Sequence, residues 1–260
     1  MHMSTTVPGW LERRRSLAPR TIGVVATMGA LHRGHASLVE RCRRENEIVV
    51  VTIFVNPLQF NDPADLKRYP RTLDSDLALL KALGTNEVLM PEPSGIYPDG
   101  PRFRVTEAGL TNEMEGRHRP GFFDGVMTVV LKLLNLVRAD RAYFGEKDYQ
   151  QLRVIREMAA DFFLPVEIVG CPTVRTAAGL AESSRNALLS VEGQAKAAAI
   201  FRALTSAVSA AEAKAILVAD GFTVDYVEEH WGRRFAAASL EGIRLIDNVP
   251  IGDTHDAVLP

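Results

Sequence analysis

The run Ile48-Val49-Val50-Val51-Thr52-Ile53-Phe54-Val55 constrains the fold more than any other segment of the chain. Its side chains are mostly β-branched and almost wholly apolar. Such a run, without polar alternation, reads as a strand covered on both faces at the centre of a parallel sheet. Asn56-Pro57 stops it, because proline has no N–H for the ladder. Upstream, Ile22–Ala26 is a second apolar run that ends before a glycine-containing turn. Between the two, His35–Glu45 places Leu38, Val39 and Cys42 on one face and charges on the other, as an amphipathic helix does. Strand, helix and strand in that order form a βαβ unit and imply a parallel sheet.

The alternation continues downstream. Thr72–Ala82 is expected to be helical and Glu87–Met90 a short strand. Met127–Val137 carries Val130, Leu133, Leu134 and Val137 at helical spacing. Arg141–Phe144, Tyr149–Phe162 and Val166–Val169 read as strand, helix and strand. Pro91–Gly125 is rich in Gly and Pro and is expected to be an irregular insertion. After Val174 the character changes. An Ala-rich helix from Val191 to Ala211, extending towards Ala219, leads to β-like runs at Val224–Val227, Phe235–Leu240 and Arg244–Ile246. The expected fold is α/β: a Rossmann-like doubly wound parallel sheet over residues 1–174, then a smaller α+β domain over 175–260. Met1-His2-Met3 is left outside this argument, as residues that an expression vector can add.

Bulk properties narrow the function. A net charge of -2 over 260 residues offers no broad basic field for nucleic acid. The longest apolar run is too short to span a bilayer, and no secretory pattern opens the chain. Cys42 and Cys171 stand far apart with no CxxC pair, which indicates neither a zinc ribbon nor a disulfide framework. A reducing cytoplasm is the expected compartment.

Four segments carry chemistry. His32-Arg33-Gly34-His35 follows the first strand and opens a helix, where N–H groups and the macrodipole favour anions. Gly34 would let a nucleotide approach the backbone, and the imidazoles can donate to phosphate oxygens. A pair of surface histidines, or a zinc pair, are the other readings of the same spacing. Asn56-Pro57-Leu58-Gln59 follows the central strand, so its amides should project at the same sheet edge as His32 and His35. Either amide could also be a turn cap or merely solvated. Gly145-Glu146-Lys147-Asp148 is again strand into helix, and Lys147 suits charge developing on a phosphate group. Asp148 could equally cap the helix. Ser183-Ser184-Arg185 could clamp phosphates or cap the next helix.

Order and spacing together make the chain resemble the pantothenate synthetase (pantoate–β-alanine ligase) family along almost its whole length. The resemblance rests on Ala26–His35, Phe54–Phe60, Tyr69–Arg71, Thr128–Leu133, Tyr143–Gln151, Pro172–Arg175, Ser183–Asn186 and Leu245–Asn248. It implies an ATP-dependent ligase of the HxGH nucleotidyltransferase-like superfamily. Such an enzyme adenylates pantoate with magnesium present, then couples the acyl group to β-alanine. It also implies a homodimer.

By the same resemblance, Met28, Gly29, His32, Gly34 and His35 would line the ATP site, with His35 as the acid. Gly145, Glu146, Lys147 and Asp148 would bind ATP, with Lys147 on the phosphates. Val174 would meet the adenine region, while Glu182, Ser183, Ser184 and Arg185 would close over the triphosphate. Gln59, Gln151 and Asn56 would hold the substrate, and Asp76 would contact magnesium. The chain departs from the family pattern at several positions. Phe122 stands where histidine is usual, Glu182 where Met or Leu is usual, and Ser75 where an acidic residue is common. The segment between Ala219 and Arg233 is shorter than in the family. A related ligase with another carboxylate or amine, or a non-catalytic nucleotide-binding paralogue, are the alternative functions.

Overall fold

Six parallel strands make up the sheet of the first unit: β1 (His2–Ser4), β2 (Ile22–Thr27), β3 (Ile48–Ile53), β4 (Glu87–Leu89), β5 (Arg141–Gly145) and β6 (Glu167–Cys171). The computed structural model describes residues 1–61 and 63–252. Strand order is β1-β4-β3-β2-β5-β6, with Ile22 opposite Ile48 and Thr27 opposite Ile53 in the central pair. β2 and β3 are buried almost throughout because both faces of the sheet are covered, which is what their unbroken apolar sequence requires. The helix Arg33–Glu45 lays Leu38, Val39 and Cys42 into a core shared with Val25, Val49, Val51, Val88 and Tyr143. Burial pushes the Cys42 thiol up to about 12.

From β2 the chain winds outward through β3 and β4, then returns to lay β5 and β6 on the other side. The direction therefore switches between β2 and β5, and their carboxyl ends border the crevice where such sheets take ligands. The segments after β2 and β5 are those carrying His32 and Lys147.

Several expectations needed correction. His2 and Met3, set aside in the sequence reading with Met1, form with Ser4 an edge strand paired with Glu87–Leu89. The helix Val7–Arg15 had no counterpart there. Thr6 caps it, accepting from the Gly9 N–H, and its Trp10 is fully buried with Nε1 on the Leu136 carbonyl at 2.8 Å. The helix expected from Met127 begins at Phe122. Gly125 lies inside it because the helix crosses the 57–59 turn so closely that a Cβ there would fall 2.4 Å from the Leu58 carbonyl oxygen. Local sequence shows a breaker where packing needs a missing side chain. The rest of Pro91–Gly125 holds short helical turns at Pro93–Ile96, Leu110–Asn112 and Met114–His118.

The second unit comprises Lys147–Tyr149 with Thr173–Pro260, and the first comprises Met1–Glu146 with Gln150–Pro172. The Ala-rich stretch is three helices, Val191–Ala197, Ala199–Ser206 and Ala210–Ala219, not one. Ser190 and Ser209 cap the first and last, and a serine cap restarts a helix where an Ala-rich count sees continuity. Their apolar faces pack on an antiparallel sheet of β7 (Thr223–His230), β8 (Arg233–Leu240) and β9 (Ile243–Pro250). Both hairpins turn on two residues of positive φ, Trp231-Gly232 (52° and 67°) and Glu241-Gly242 (53° and 75°). Two-residue turns of that hand match the strand twist.

Candidate active site

The turn after β2 is bound to the body of the first unit from two sides. Thr27 Oγ1 donates to the Thr52 carbonyl (2.8 Å) and accepts from the Gly29 N–H (3.2 Å). Gly29 and Ala30 both have left-handed backbone, with φ of 80° and 51°. The N–H groups of Ala30 and Leu31 then donate to the Asp76 carboxylate at 2.9 and 2.8 Å. Those two donors are therefore not available to an anion.

His32 caps the helix Arg33–Glu45. Its Nδ1 accepts from the Gly34 N–H at 3.1 Å, and His35 Nδ1 accepts from the His32 N–H at 3.4 Å. The rings lie 4.1 Å apart. A nitrogen that accepts a backbone N–H carries no proton, so each neutral ring keeps its proton on Nε2. The pair is thus a helix cap through one nitrogen and a pair of N–H donors through the other. The capping role is one that the spacing alone did not suggest.

After β3, Asn56 is 1% exposed and its amide is fully used. Nδ2 donates to Gln59 Oε1 (3.1 Å) and to the Gly125 carbonyl (3.0 Å), while Oδ1 accepts from the Tyr97 hydroxyl (2.9 Å) and the Leu58 N–H (3.3 Å). Burial pushes that hydroxyl up to about 12, so it stays a donor. Asn56, expected at the substrate, has its amide bound within the chain, where it orients Gln59. With Gln59 Oε1 taken, Nε2 points at Met28 Sδ, 2.8 Å away. The amide beyond β3 and the turn beyond β2 therefore meet at one sheet edge.

Arg119, which the sequence reading did not single out, donates from Nη2 to the Gln59 carbonyl at 3.0 Å. Its guanidinium lies 3.7 Å over the Phe122 ring and 3.6 Å from the buried Glu115 carboxylate. The Phe122 ring is the face on which this cation rests. Gln150 and Gln151 divide by burial. Gln150 is 4% exposed and binds the Leu110 and Glu113 carbonyls and the Glu115 N–H. Gln151, the expected substrate residue, is half-buried on the same helix. Residues one apart on a helix face different ways, so one glutamine anchors the 110–115 segment and the other stays partly accessible.

Asp76 was expected as a magnesium contact. It is 3% exposed, and besides the two backbone donors it accepts from Thr72 Oγ1 at 3.1 Å. A carboxylate so buried and so occupied does not fit a direct ligand of a hydrated cation. Among the described residues no group of three or more His, Cys, Asp or Glu could hold a metal ion.

In the second unit, Lys147 Nζ pairs with Asp148 Oδ1 at 3.2 Å, and Asn248 Nδ2 donates to the Lys147 carbonyl at 2.9 Å. Asn248 also accepts from Arg233 Nε at 2.6 Å. Tyr149 packs against Trp231 and Phe235, with the Arg233 guanidinium 4.5 Å over its ring. The loop with the serines is tied at its base. The Glu182 N–H donates to the Val174 carbonyl at 2.9 Å. Arg175 grips Asp247 at 2.6 and 2.9 Å while stacking 4.1 Å over Phe201. Ser183 Oγ accepts from the Arg185 N–H at 3.3 Å and caps the turn Ser184–Leu188, the capping role read beside the clamp. Glu182, Ser184 and Arg185 are half-buried, as are Gly145 and Glu146 at the end of β5 in the first unit.

The chain matches the pantoate-beta-alanine ligase family over residues 2–250. It is 52% identical to the pantothenate synthetase of Bdellovibrio bacteriovorus, over 94% of this chain and 97% of that protein. It is 46% identical to that of Coxiella burnetii over 93% of each. Among solved structures, it is similar to the pantoate-beta-alanine ligase from Francisella tularensis complexed with beta-gamma ATP and beta-alanine. That likeness has a TM-score of 0.92 and 38% identity over 96% of this chain and 97% of that one. The pantothenate synthetase from Thermus thermophilus is similar at a TM-score of 0.90 and 43% identity, over 96% and 99%.

Proposed function

The chain belongs to the pantoate–β-alanine ligase family, and on that premise we propose how its own residues carry the reaction. A pantoate carboxylate oxygen attacks the α-phosphorus of ATP, forming pantoyl adenylate and releasing pyrophosphate. The β-alanine amine then attacks the acyl carbon, forms the amide and expels AMP, losing a proton. Both steps bring anions together, so the protein's task is placement and charge compensation.

The observation that carries this reading is the contact of Gln59 with Met28. The amide proposed to hold the acid rests on the turn proposed to hold the nucleotide, so the two reactants would meet without either site moving. His32 and His35 offer Nε2–H groups to phosphate oxygens, and His35 is the proposed acid. Gly29, Gly34, Gly145 and Glu146 line the nucleotide's path. Lys147 offsets charge on the triphosphate, with Asp148 beside it. Gln151 joins Gln59 on pantoate. Val174 meets the adenine region, and Glu182, Ser183, Ser184 and Arg185 act on the triphosphate from the smaller domain. Magnesium, when present with ATP, would offset charge on the triphosphate, and no direct protein ligand is assigned to it. The proposed compartment is the cytoplasm, in keeping with two buried, unpaired cysteines. Among the described residues no helix is long and apolar enough to cross a membrane. A homodimer follows from the resemblance and is checked by light scattering on the purified chain.

The test is pyrophosphate release with ATP and Mg2+ across a panel of small hydroxy acids, followed by amide formation across a panel of amines. Release with pantoate and amide with β-alanine are expected. Release with a different acid only would remove the substrate assignment and leave the reaction class.

A further inference from the structure

We propose that Asp76 is a positioning residue for the nucleotide-binding turn and not a ligand of magnesium. The inference rests on the reading of Met28–His32 as part of the ATP site. Asp76 stands in the first turn of the helix Leu73–Ala82, 46 residues from Ala30, and reaches the turn only through the fold. One carboxylate oxygen takes the Ala30 N–H, and the other takes the Leu31 N–H and the Thr72 hydroxyl. Thr72 is the N-cap residue of that helix, yet its side chain makes no capping bond. Its hydroxyl is directed to Asp76 instead.

The turn needs such a hold. Gly29 and Ala30 in succession adopt positive φ, and Ala30 has a Cβ that opposes it. A non-glycine residue stays in that region only where its surroundings impose it. Two adjacent N–H groups directed into one buried carboxylate impose it here, because charge-assisted bonds are the strong ones. Gly29 also leaves no room for error. A Cβ at that position would sit 3.2 Å from Asp76 Oδ2 and 3.3 Å from Ile53 Cγ2. A cation bound directly to Asp76 would have to shed water and compete with the backbone donors for a buried carboxylate that already takes three hydrogen bonds.

The experiment is steady-state pyrophosphate release by Asp76→Asn, titrated separately with ATP, pantoate and Mg2+. The amide presents donors on one side, so a backbone N–H loses its acceptor. KM for ATP should rise about tenfold, as loss of a charged hydrogen bond implies. KM for pantoate and the Mg2+ midpoint at fixed ATP should each move less than about twofold on the same scale. Adding Ala30→Gly lowers the cost of positive φ and should recover about fivefold of the ATP KM. If Asp76→Asn fails to fold, the milder Thr72→Ala should raise the ATP KM about threefold with the Mg2+ midpoint unmoved. An unchanged ATP KM, a Mg2+ midpoint raised tenfold or more, or no recovery with Ala30→Gly would each overturn the proposal. A wild-type chain that releases no pyrophosphate with pantoate would instead overturn the reading beneath it.

Discussion

The side-chain amide of Asn248 donates to the carbonyl of Lys147 across 101 residues of sequence, at 2.9 Å. Asn248 is 1% exposed and is held in turn by Arg233, so the bond is made by a side chain with one orientation. Lys147 lies on a strand-to-helix connection in sequence, but it packs with the β7–β9 unit. Asn248→Ala leaves that carbonyl without its donor and lets the lysine segment relax. The expected result is a drop of about tenfold in the rate of adenylation, matching the loss of a buried hydrogen bond. Single-turnover measurement with saturating ATP and pantoate checks it; a rate within about twofold of wild type would separate Asn248 from Lys147.

Arg119 holds the main chain of Gln59, and Phe122 holds Arg119. Arg119→Ala should raise KM for pantoate about tenfold and leave KM for ATP nearly unchanged, since the interaction acts on one amide only. Arg119→Lys should not restore it, because an ammonium lacks the flat fork that stacks and donates together. Equal rises in both constants would mean a general loss of structure.

The two nitrogens of His35 do different work, and substitution can separate them. Asparagine places an acceptor near the Nδ1 position, so His35→Asn should keep the cap on the His32 N–H and hold Tm close to wild type. It removes the Nε2 donor and should cut adenylation by about a hundredfold, the usual weight of a general acid. Calorimetry together with pyrophosphate release distinguishes the two roles. Activity retained in this variant would exclude His35 as the acid.

Acid stability should depend on Glu45. Hydrogen bonds from Arg41 (2.9 Å) and from the Tyr143 hydroxyl (2.8 Å) hold its carboxyl below its ordinary value of 4.5. The folded value lies below the unfolded one, so its contribution is complete above the unfolded value and is lost as pH falls through the folded value. Glu45→Gln should flatten the acid limb of stability against pH. At neutral pH it should cost under about 1 kcal/mol, since the pair is partly exposed. Urea melts at a series of pH values test this. An acid limb as steep as wild type would refute it.

Much of the first unit's sheet could be read from residues close in sequence. The β-branched run at Ile48–Ile53 declares itself by its unbroken apolar character, and the stripe Leu38, Val39 and Cys42 by a period near 3.6. His32 and His35 were legible for the same reason, being three apart at a helix start. Asn56 was placed after β3 from sequence, but its burial and its bond to Gln59 had no local signal. Gly125, read as the end of an irregular insertion, is a packing residue inside a helix. The roles of Asp76, Arg119 and Asn248 had no local signal, because each acts on a backbone group far along the chain.

Sequence by itself determined the parallel sheet, the position of the chemistry-bearing segments at the ends of its strands, and the family. The sheet and the placing of those segments follow from short-range apolar patterning, and the family from the order and spacing of the motifs. Tertiary structure alone decided which polar groups remain for a ligand and which are consumed in holding the turns. A buried hydrogen bond is chosen by whatever the fold brings within about 3 Å, and sequence spacing does not carry that distance.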